Sequence, residues 1–177
     1  MSTIQLFTVI NILGGISVLA SYVIGLTLYP EHRDALWGGI TGGLRTLFVI
    51  SMLLAALGYL TFSYFVIFKS GTLIYTQISA IKPYMVHLTF AMFLISASIW
   101  MPSTITYLNT SNVVWWWITV ATLWITGLSL VILVLTVSQT QFDGTNLIKT
   151  SAFAGLTYMT FHCLVLDAII WVIRFNR

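Results

Sequence analysis

The chain has 177 residues, of which 59% are hydrophobic and only 6% are charged. Soluble domains carry about 25% charged residues, so a mean hydropathy of +0.99 excludes an ordinary soluble surface. Seven basic residues against four acidic ones are too few to form a nucleic-acid-binding surface. The composition therefore predicts a multi-pass integral membrane protein whose main partner is the lipid bilayer.

Five apolar stretches are long enough to cross a bilayer, whose hydrocarbon core takes about 20 helical residues. Their predicted bounds are residues 4–29, 39 or 44 to 68, 84 to 101 or 107, 113–137 and 150–173. We expect the first stretch to be retained as a helix, because no basic region precedes it and it is longer than a signal-peptide core. The two possible ends of the third stretch depend on Pro102, which either stops the helix or kinks it.

The connector between the second and third stretches is too short and too polar to cross. Within it, Leu73, Ile74, Ile78 and Ile81 recur at helical spacing, which predicts an amphipathic interfacial segment over residues 70–81. The predicted fold is an all-α, polytopic membrane helical bundle with five transmembrane helices and this short interfacial segment. Residues 1–177 form a single integral membrane domain, and five crossings place the two termini on opposite sides.

Small residues at helical spacing predict where the helices meet, because they allow close backbone approach. The first span has Gly14 and Gly25 on one face, and the fifth has Gly155 on the face of His162. Glycines with GxxxG spacing also occur at the entry to the second span, at positions 38, 39, 42 and 43. We predict that each of these sets packs against a neighbouring helix.

Three ionisable side chains lie within the predicted spans: His87, His162 and Asp167. Insertion of a charged side chain at the centre of the bilayer costs about 2.5–3.5 kcal/mol, so each of them requires a partner or a function. The helical rise places His162 near the middle of the fifth span and Asp167 about 7.5 Å from it along the axis. His87 lies toward the N-terminal side of the membrane.

Asp167 follows His162 by five residues, which is about 140° around an α-helix. We therefore expect no pair between them within one helix. The sequence predicts a structural ion pair between Asp167 and Arg45 of the second span, with Arg174 as the competing partner. The alternatives for Asp167 are a titrating role in ion or proton movement and contact with a ligand.

His162 has Tyr158 one turn before it, and two interpretations are open. As a packing residue it would be hydrogen-bonded to a hydroxyl or carbonyl of a neighbouring helix. As a residue of a conduction or binding path it would make flux pH-dependent between about pH 5 and 8. The binding or conduction candidates are His162, Asp167, His87 and Tyr158.

No pattern in the chain indicates a cofactor or catalytic centre. His87 and His162 differ in depth by about 8–12 Å, which is too far for both to bind one haem iron, so we expect no haem. Motifs such as HExxH, GxSxG and a glycine-rich phosphate loop are missing from the sequence. The sequence accordingly predicts no metal ligands and no catalytic residues, and favours a protein that is not an enzyme.

Three functions fit this sequence. The first is a small channel- or carrier-like protein that binds or moves a small ion or molecule, as a homo-oligomer or with other membrane subunits. It depends on His162 and Asp167 and on hydroxyl-rich faces such as Thr119, Thr122 and Thr126. The second is a non-catalytic accessory or assembly subunit of a larger membrane complex. The third is an intramembrane enzyme or b-type haem protein.

Overall fold

A computed structural model describes residues 1–70, 83–139 and 146–175 of the chain. This part forms helices and no strand. Five of the helices are long and apolar enough to span a membrane, which confirms the predicted all-α membrane bundle. They are α1 Thr3–Leu28, α2 Gly42–Phe65, α3 Pro83–Thr110, α4 Val113–Gln139 and α5, which begins as Asn146–Phe161.

Two of these helices change their hydrogen-bonding pattern without ending. Helix α2 continues as a π-helical turn over Val66–Ser70. Helix α5 continues as a π-helix over His162–Trp171 and ends with the α-helical turn Val172–Arg174, and we use α5 for the whole of this continuous helix. The interfacial segment predicted over residues 70–81 lies, apart from its first residue, outside the described residues and stays a prediction.

Helix ends are defined by short polar side chains. Ser2 and Gln5 form a capping box at the start of α1. Between α3 and α4 the chain turns at Ser111, whose φ is 51°, and Asn112 Oδ1 accepts a hydrogen bond from the backbone of Val114 at 3.0 Å. Helix α3 continues past Pro102, so the longer of its two predicted ends is correct.

The helices pack as a ring rather than in chain order. Helix α1 packs on α3, α3 on α4, α4 on α5 and α5 on α2. Side chains close the ring between α1 and α2, where Tyr59 Oη donates to Asn11 Oδ1 at 3.1 Å and Asn11 Nδ2 donates to Ser63 Oγ at 2.9 Å. Helices α2 and α5 are thus far apart in the sequence but in direct contact in the structure.

The predicted small-residue faces of α1 and α5 are confirmed as packing faces. A Cβ added to Gly14 would lie 2.7 Å from Leu94 Cβ, which is too close for any real pair of carbon atoms. Gly155 and Gly58 bring the backbones of α5 and α2 into direct contact, since a Cβ on Gly155 would lie 2.7 Å from Gly58 Cα. These contacts fix the distance between α2 and α5.

The GxxxG prediction for the entry to α2 is wrong for Gly42 and Gly43, which have no atom within 4 Å of an added Cβ. Gly38 and Gly39 do pack closely, but they lie in the turn before α2 and contact the end of α5. Gly38 has a φ of 58°, and the Gly39 amide donates to the Arg174 carbonyl at 3.0 Å. The glycines form a turn here and not a helix crossing.

Buried hydroxyls join α3 to α4. Ser96 Oγ lies 2.8 Å from Thr126 Oγ1, and Thr119 Oγ1 lies 3.0 Å from Ser103 Oγ. Three of these four hydroxyls also bond a carbonyl of their own helix. The hydroxyl-rich face of α4 is therefore used for helix packing.

Candidate functional site

The π-helical part of α5 changes which side chains share a face. Backbone hydrogen bonds in a π-helix join residues i and i+5, so side chains five apart become neighbours. His162 Nε2 and Asp167 Oδ2 are 3.5 Å apart as a result. The expectation that these two residues cannot pair within one helix is wrong, because it assumed 100° per residue throughout α5.

His162 is anchored to α2 through its other ring nitrogen. His162 Nδ1 lies 2.9 Å from Ser51 Oγ, and Tyr158 Oη donates to the same Ser51 Oγ at 3.1 Å. The imidazole is only 5% exposed and packs edge-on against Phe48 with ring centroids 6.4 Å apart. The predicted hydrogen bond from His162 to a hydroxyl of a neighbouring helix is therefore confirmed.

These contacts form one chain, Tyr158–Ser51–His162–Asp167, which we call the relay. If the carboxylate of Asp167 is ionised, His162 Nε2 must carry a proton to face it, and Nδ1 is then the acceptor for the Ser51 hydroxyl. Tyr158 already donates to Ser51. Every donor in the relay then points toward Asp167.

The relay has a second proton arrangement that fits the same atoms. If Asp167 holds a proton, its hydroxyl donates to His162 Nε2, and Nδ1–H donates to Ser51 Oγ. The second arrangement holds one more proton than the first, and reaching it requires the 3.5 Å between His162 Nε2 and Asp167 Oδ2 to shorten to hydrogen-bonding distance.

The Asp167 end of the relay lies toward α1 and α3. Its side chain is 30% exposed, whereas that of His162 is 6% exposed. The ring of Trp171, one turn after Asp167, lies 5.5 Å from the ring of Trp100 on α3, and Trp100 packs 5.8 Å from the ring of Tyr22 on α1. Trp171 Nε1 also donates to the Leu36 carbonyl at 3.0 Å and fixes the end of the π-helix.

The predicted ion pair between Asp167 and Arg45 is wrong. Arg45 Nη1 lies 3.3 Å from Asp34 Oδ1 in the preceding turn, and the Arg45 guanidinium stacks over the Trp37 ring at 4.5 Å from its centroid. Arg45 sits in the first turn of α2, where its side chain stays 45% exposed. Asp167 lies seven residues before Arg174 at the end of α5 and faces His162 instead.

His87 is not part of the relay. It is 6% exposed, and its Nε2 lies 2.9 Å from the Thr3 carbonyl, which requires Nε2 to carry the proton. This bond ties the start of α3 to the start of α1. The structure thus brings His162, Asp167 and Tyr158 together and places His87 at the other end of the bundle.

An open groove lies beside the first two members of the relay. It runs between α2 and α5, has a volume of about 440 Å³ and includes Ser51 and Tyr158 in its lining. Its apolar walls face outward, since Leu47, Ile50 and Phe161 are each about half exposed. We call it the α2–α5 groove.

Sequence reasoning missed Ser51 as a site residue. It is a small residue of α2, and its partner His162 lies 111 residues later in the sequence. Within the described ranges, no group of three or more His, Cys, Asp or Glu side chains is placed to hold a metal ion.

No protein-family model matches the chain, and no curated protein and no solved structure is found to be similar to it.

Proposed function

We propose that this membrane protein is channel- or carrier-like and that the ion it binds and moves is the proton. The observation that carries the proposal is the relay, in which two hydroxyls and an imidazole are joined by hydrogen bonds and the imidazole lies 3.5 Å from a carboxylate. A proton does not require a water-filled pore, because it passes along polar side chains that can each donate and accept. The relay provides this in the apolar interior, where an ionisable group is by default a sign of function.

The proton-transfer step balances within the relay itself. Tyr158 passes its proton to Ser51, Ser51 passes its own to His162 Nδ1, and His162 Nε2 releases one to the Asp167 carboxylate. Tyr158 is then restored by a proton from outside the relay, and Asp167 is restored by releasing one on its exposed side. One proton is moved, and His162 is left with its ring proton on Nδ1, so a flip of the imidazole ring and rotation of the Ser51 hydroxyl return the relay to its first arrangement.

Liposome flux tests the proposal. The full chain is reconstituted into vesicles with a trapped pH-sensitive dye, and a pH gradient is imposed with valinomycin and potassium present to remove the membrane potential. We expect proton flux above that of protein-free vesicles, and at least a tenfold loss of that flux in Asp167→Asn and in His162→Gln.

Ser96→Ala is the matched control, because it removes an equally buried hydroxyl from the α3–α4 contact, outside the relay. Circular dichroism of each variant in detergent establishes that it is folded. Flux no greater than in empty vesicles, or flux that survives both relay substitutions, would overturn the proposal.

A second candidate function is the accessory or assembly subunit, and α1 favours it. In its most apolar window only 6% of α1 is buried, against 33–44% for the other four spanning helices. A helix so little covered by its own chain can offer its free faces to another membrane subunit or a second copy. Native mass spectrometry from membranes would detect such an assembly, and a monomer without flux would contradict both functions.

A further inference from the structure

We infer that the α2–α5 groove binds an apolar molecule dissolved in the bilayer that carries one hydrogen-bond donor, such as a phenolic hydroxyl on two fused rings. The inference rests on the proposed proton transfer and names the class of ligand that meets the first member of the relay. It is carried by the groove, its volume and the bonding state of Ser51 and Tyr158, which with Thr46 are the three hydroxyl side chains that line it.

The donor is required by Tyr158. Its phenol has one proton, and that proton is donated to Ser51 Oγ at 3.1 Å. Ser51 Oγ in turn accepts from Tyr158 and contacts His162 Nδ1 at 2.9 Å. The lone pairs of Tyr158 Oη are therefore the free acceptor where the groove meets the relay, and a ligand O–H or N–H satisfies them.

The apolar walls set what the ligand is made of but add little affinity. Leu47, Ile50 and Phe161 face the lipid phase, and acyl chains are as apolar as these side chains. An apolar molecule therefore gains almost nothing by leaving the bilayer for the groove unless it also makes the polar contact. Binding in this site should depend on the single hydrogen bond to Tyr158.

The size of the groove limits the ligand to a few rings. Its volume of about 440 Å³ is roughly three times the ~150 Å³ of an apolar cavity that holds benzene. The mouth toward the start of α2 is widened by Gly43, since nothing lies within 4 Å of a Cβ added there. Two fused rings therefore fit with room to reach Tyr158.

Binding of 2-naphthol to the full chain in lipid nanodiscs tests the inference, with empty nanodiscs as the reference for partitioning. We expect saturable binding of one molecule per chain, and a roughly tenfold weaker Kd in Tyr158→Phe, which corresponds to about 1.4 kcal/mol. The analogue 2-methoxynaphthalene cannot donate a hydrogen bond, so it should bind wild-type protein no more tightly than 2-naphthol binds Tyr158→Phe.

Two further variants keep the test specific. Gly43→Leu fills the mouth of the groove from a position with free space, so it should weaken 2-naphthol binding while the helical content stays the same. Tyr64→Phe is the matched control, because Tyr64 is an exposed tyrosine of α2 that does not line the groove, and its Kd should equal that of wild type.

The outcomes separate the two proposals. Proton flux that is lost in Asp167→Asn but comes with no saturable 2-naphthol binding would overturn only the groove inference. Equal affinities for 2-naphthol and its methyl ether would overturn it as well. Saturable, Tyr158-dependent binding without any flux would support the groove and overturn the proton-transfer function.

Discussion

The α3–α4 and α2–α5 contacts both contain buried hydroxyls, but these hydroxyls contact different kinds of side chain. At α3–α4, hydroxyls such as Ser96 and Thr126 bond each other, and the contact ends there. At α2–α5, the Ser51 hydroxyl leads to an imidazole and then to a carboxylate. Buried polarity alone thus marks a helix contact, and a titratable group at the end of the chain of contacts marks a candidate site.

The two contacts also differ in what holds the helices together. Helices α2 and α5 touch backbone to backbone at Gly58 and Gly155, one to two turns from the relay residues Ser51 and Tyr158. The α3–α4 contact is made by side chains. The geometry of the relay therefore depends on two glycines that carry no polar side chain.

The largest expected effect comes from Gly58→Ala. The new Cβ would overlap the Gly155 carbonyl oxygen of α5, and backbone atoms cannot yield as a flexible side chain can. We expect a loss of about 3 kcal/mol in the free energy of unfolding, measured by SDS titration in mixed micelles with circular dichroism. Gly43→Ala, which meets no atom within 4 Å, should change it by less than about 0.5 kcal/mol. Equal losses of stability in Gly58→Ala and Gly43→Ala would show that the backbone contact between α2 and α5 does not determine the geometry of the site.

The second prediction compares a hydroxyl from each contact. Ser51→Ala leaves both Tyr158 Oη and His162 Nδ1 without their partner, so it should cost about 2 kcal/mol and abolish proton flux. Ser96→Ala removes one interhelical bond and should cost about 0.6 kcal/mol with flux unchanged. The comparison between the two contacts fails if Ser96→Ala stops flux or Ser51→Ala does not.

The third prediction concerns the π-helical pair. In a double-mutant cycle with His162→Gln and Asp167→Asn, we expect a coupling of about 1 kcal/mol in the free energy of unfolding. An α-helix would give no coupling, because side chains five apart would point about 140° away from each other. Additive losses would show that the residues do not interact.

The smallest effect is expected at the membrane edge. The Arg45 side chain is about half exposed and that of Asp34 almost fully exposed, so a cycle with Arg45→Gln and Asp34→Asn should give a coupling of only a few tenths of a kcal/mol. The corresponding cycle for Arg45 and Asp167 should give none. A coupling near 1 kcal/mol between Arg45 and Asp167 would instead support the ion pair predicted from the sequence.

The fold was predictable because the bilayer fixes the length of each span, and apolar length is readable residue by residue. The packing role of Gly155 was predictable for a similar reason, since close helix contact requires small residues. The four glycines before and within the start of α2 matched the same pattern and misled, because a GxxxG spacing does not reveal where the helix begins.

The site was only half predictable. His162, Asp167 and Tyr158 stand out as polar groups in an apolar span, but their partners depend on features that spacing does not carry. The pair within α5 arises from a π-helix, which has no signal in the residue pattern of 162–171. Ser51 looks like any small packing residue until α2 and α5 are brought together.

The π-helix also bears on how the chain enters the membrane. His162 and Asp167 are five residues apart, so α5 carries the partner of its own carboxylate and needs no other helix to supply it. Ser51 is 111 residues from His162 and can join only after α2 and α5 have met. With Arg45 as the partner, Asp167 would have crossed into hydrocarbon alone, at a cost of about 2.5–3.5 kcal/mol. Insertion of the last helix is therefore eased locally, and assembly of the relay is a separate and later event.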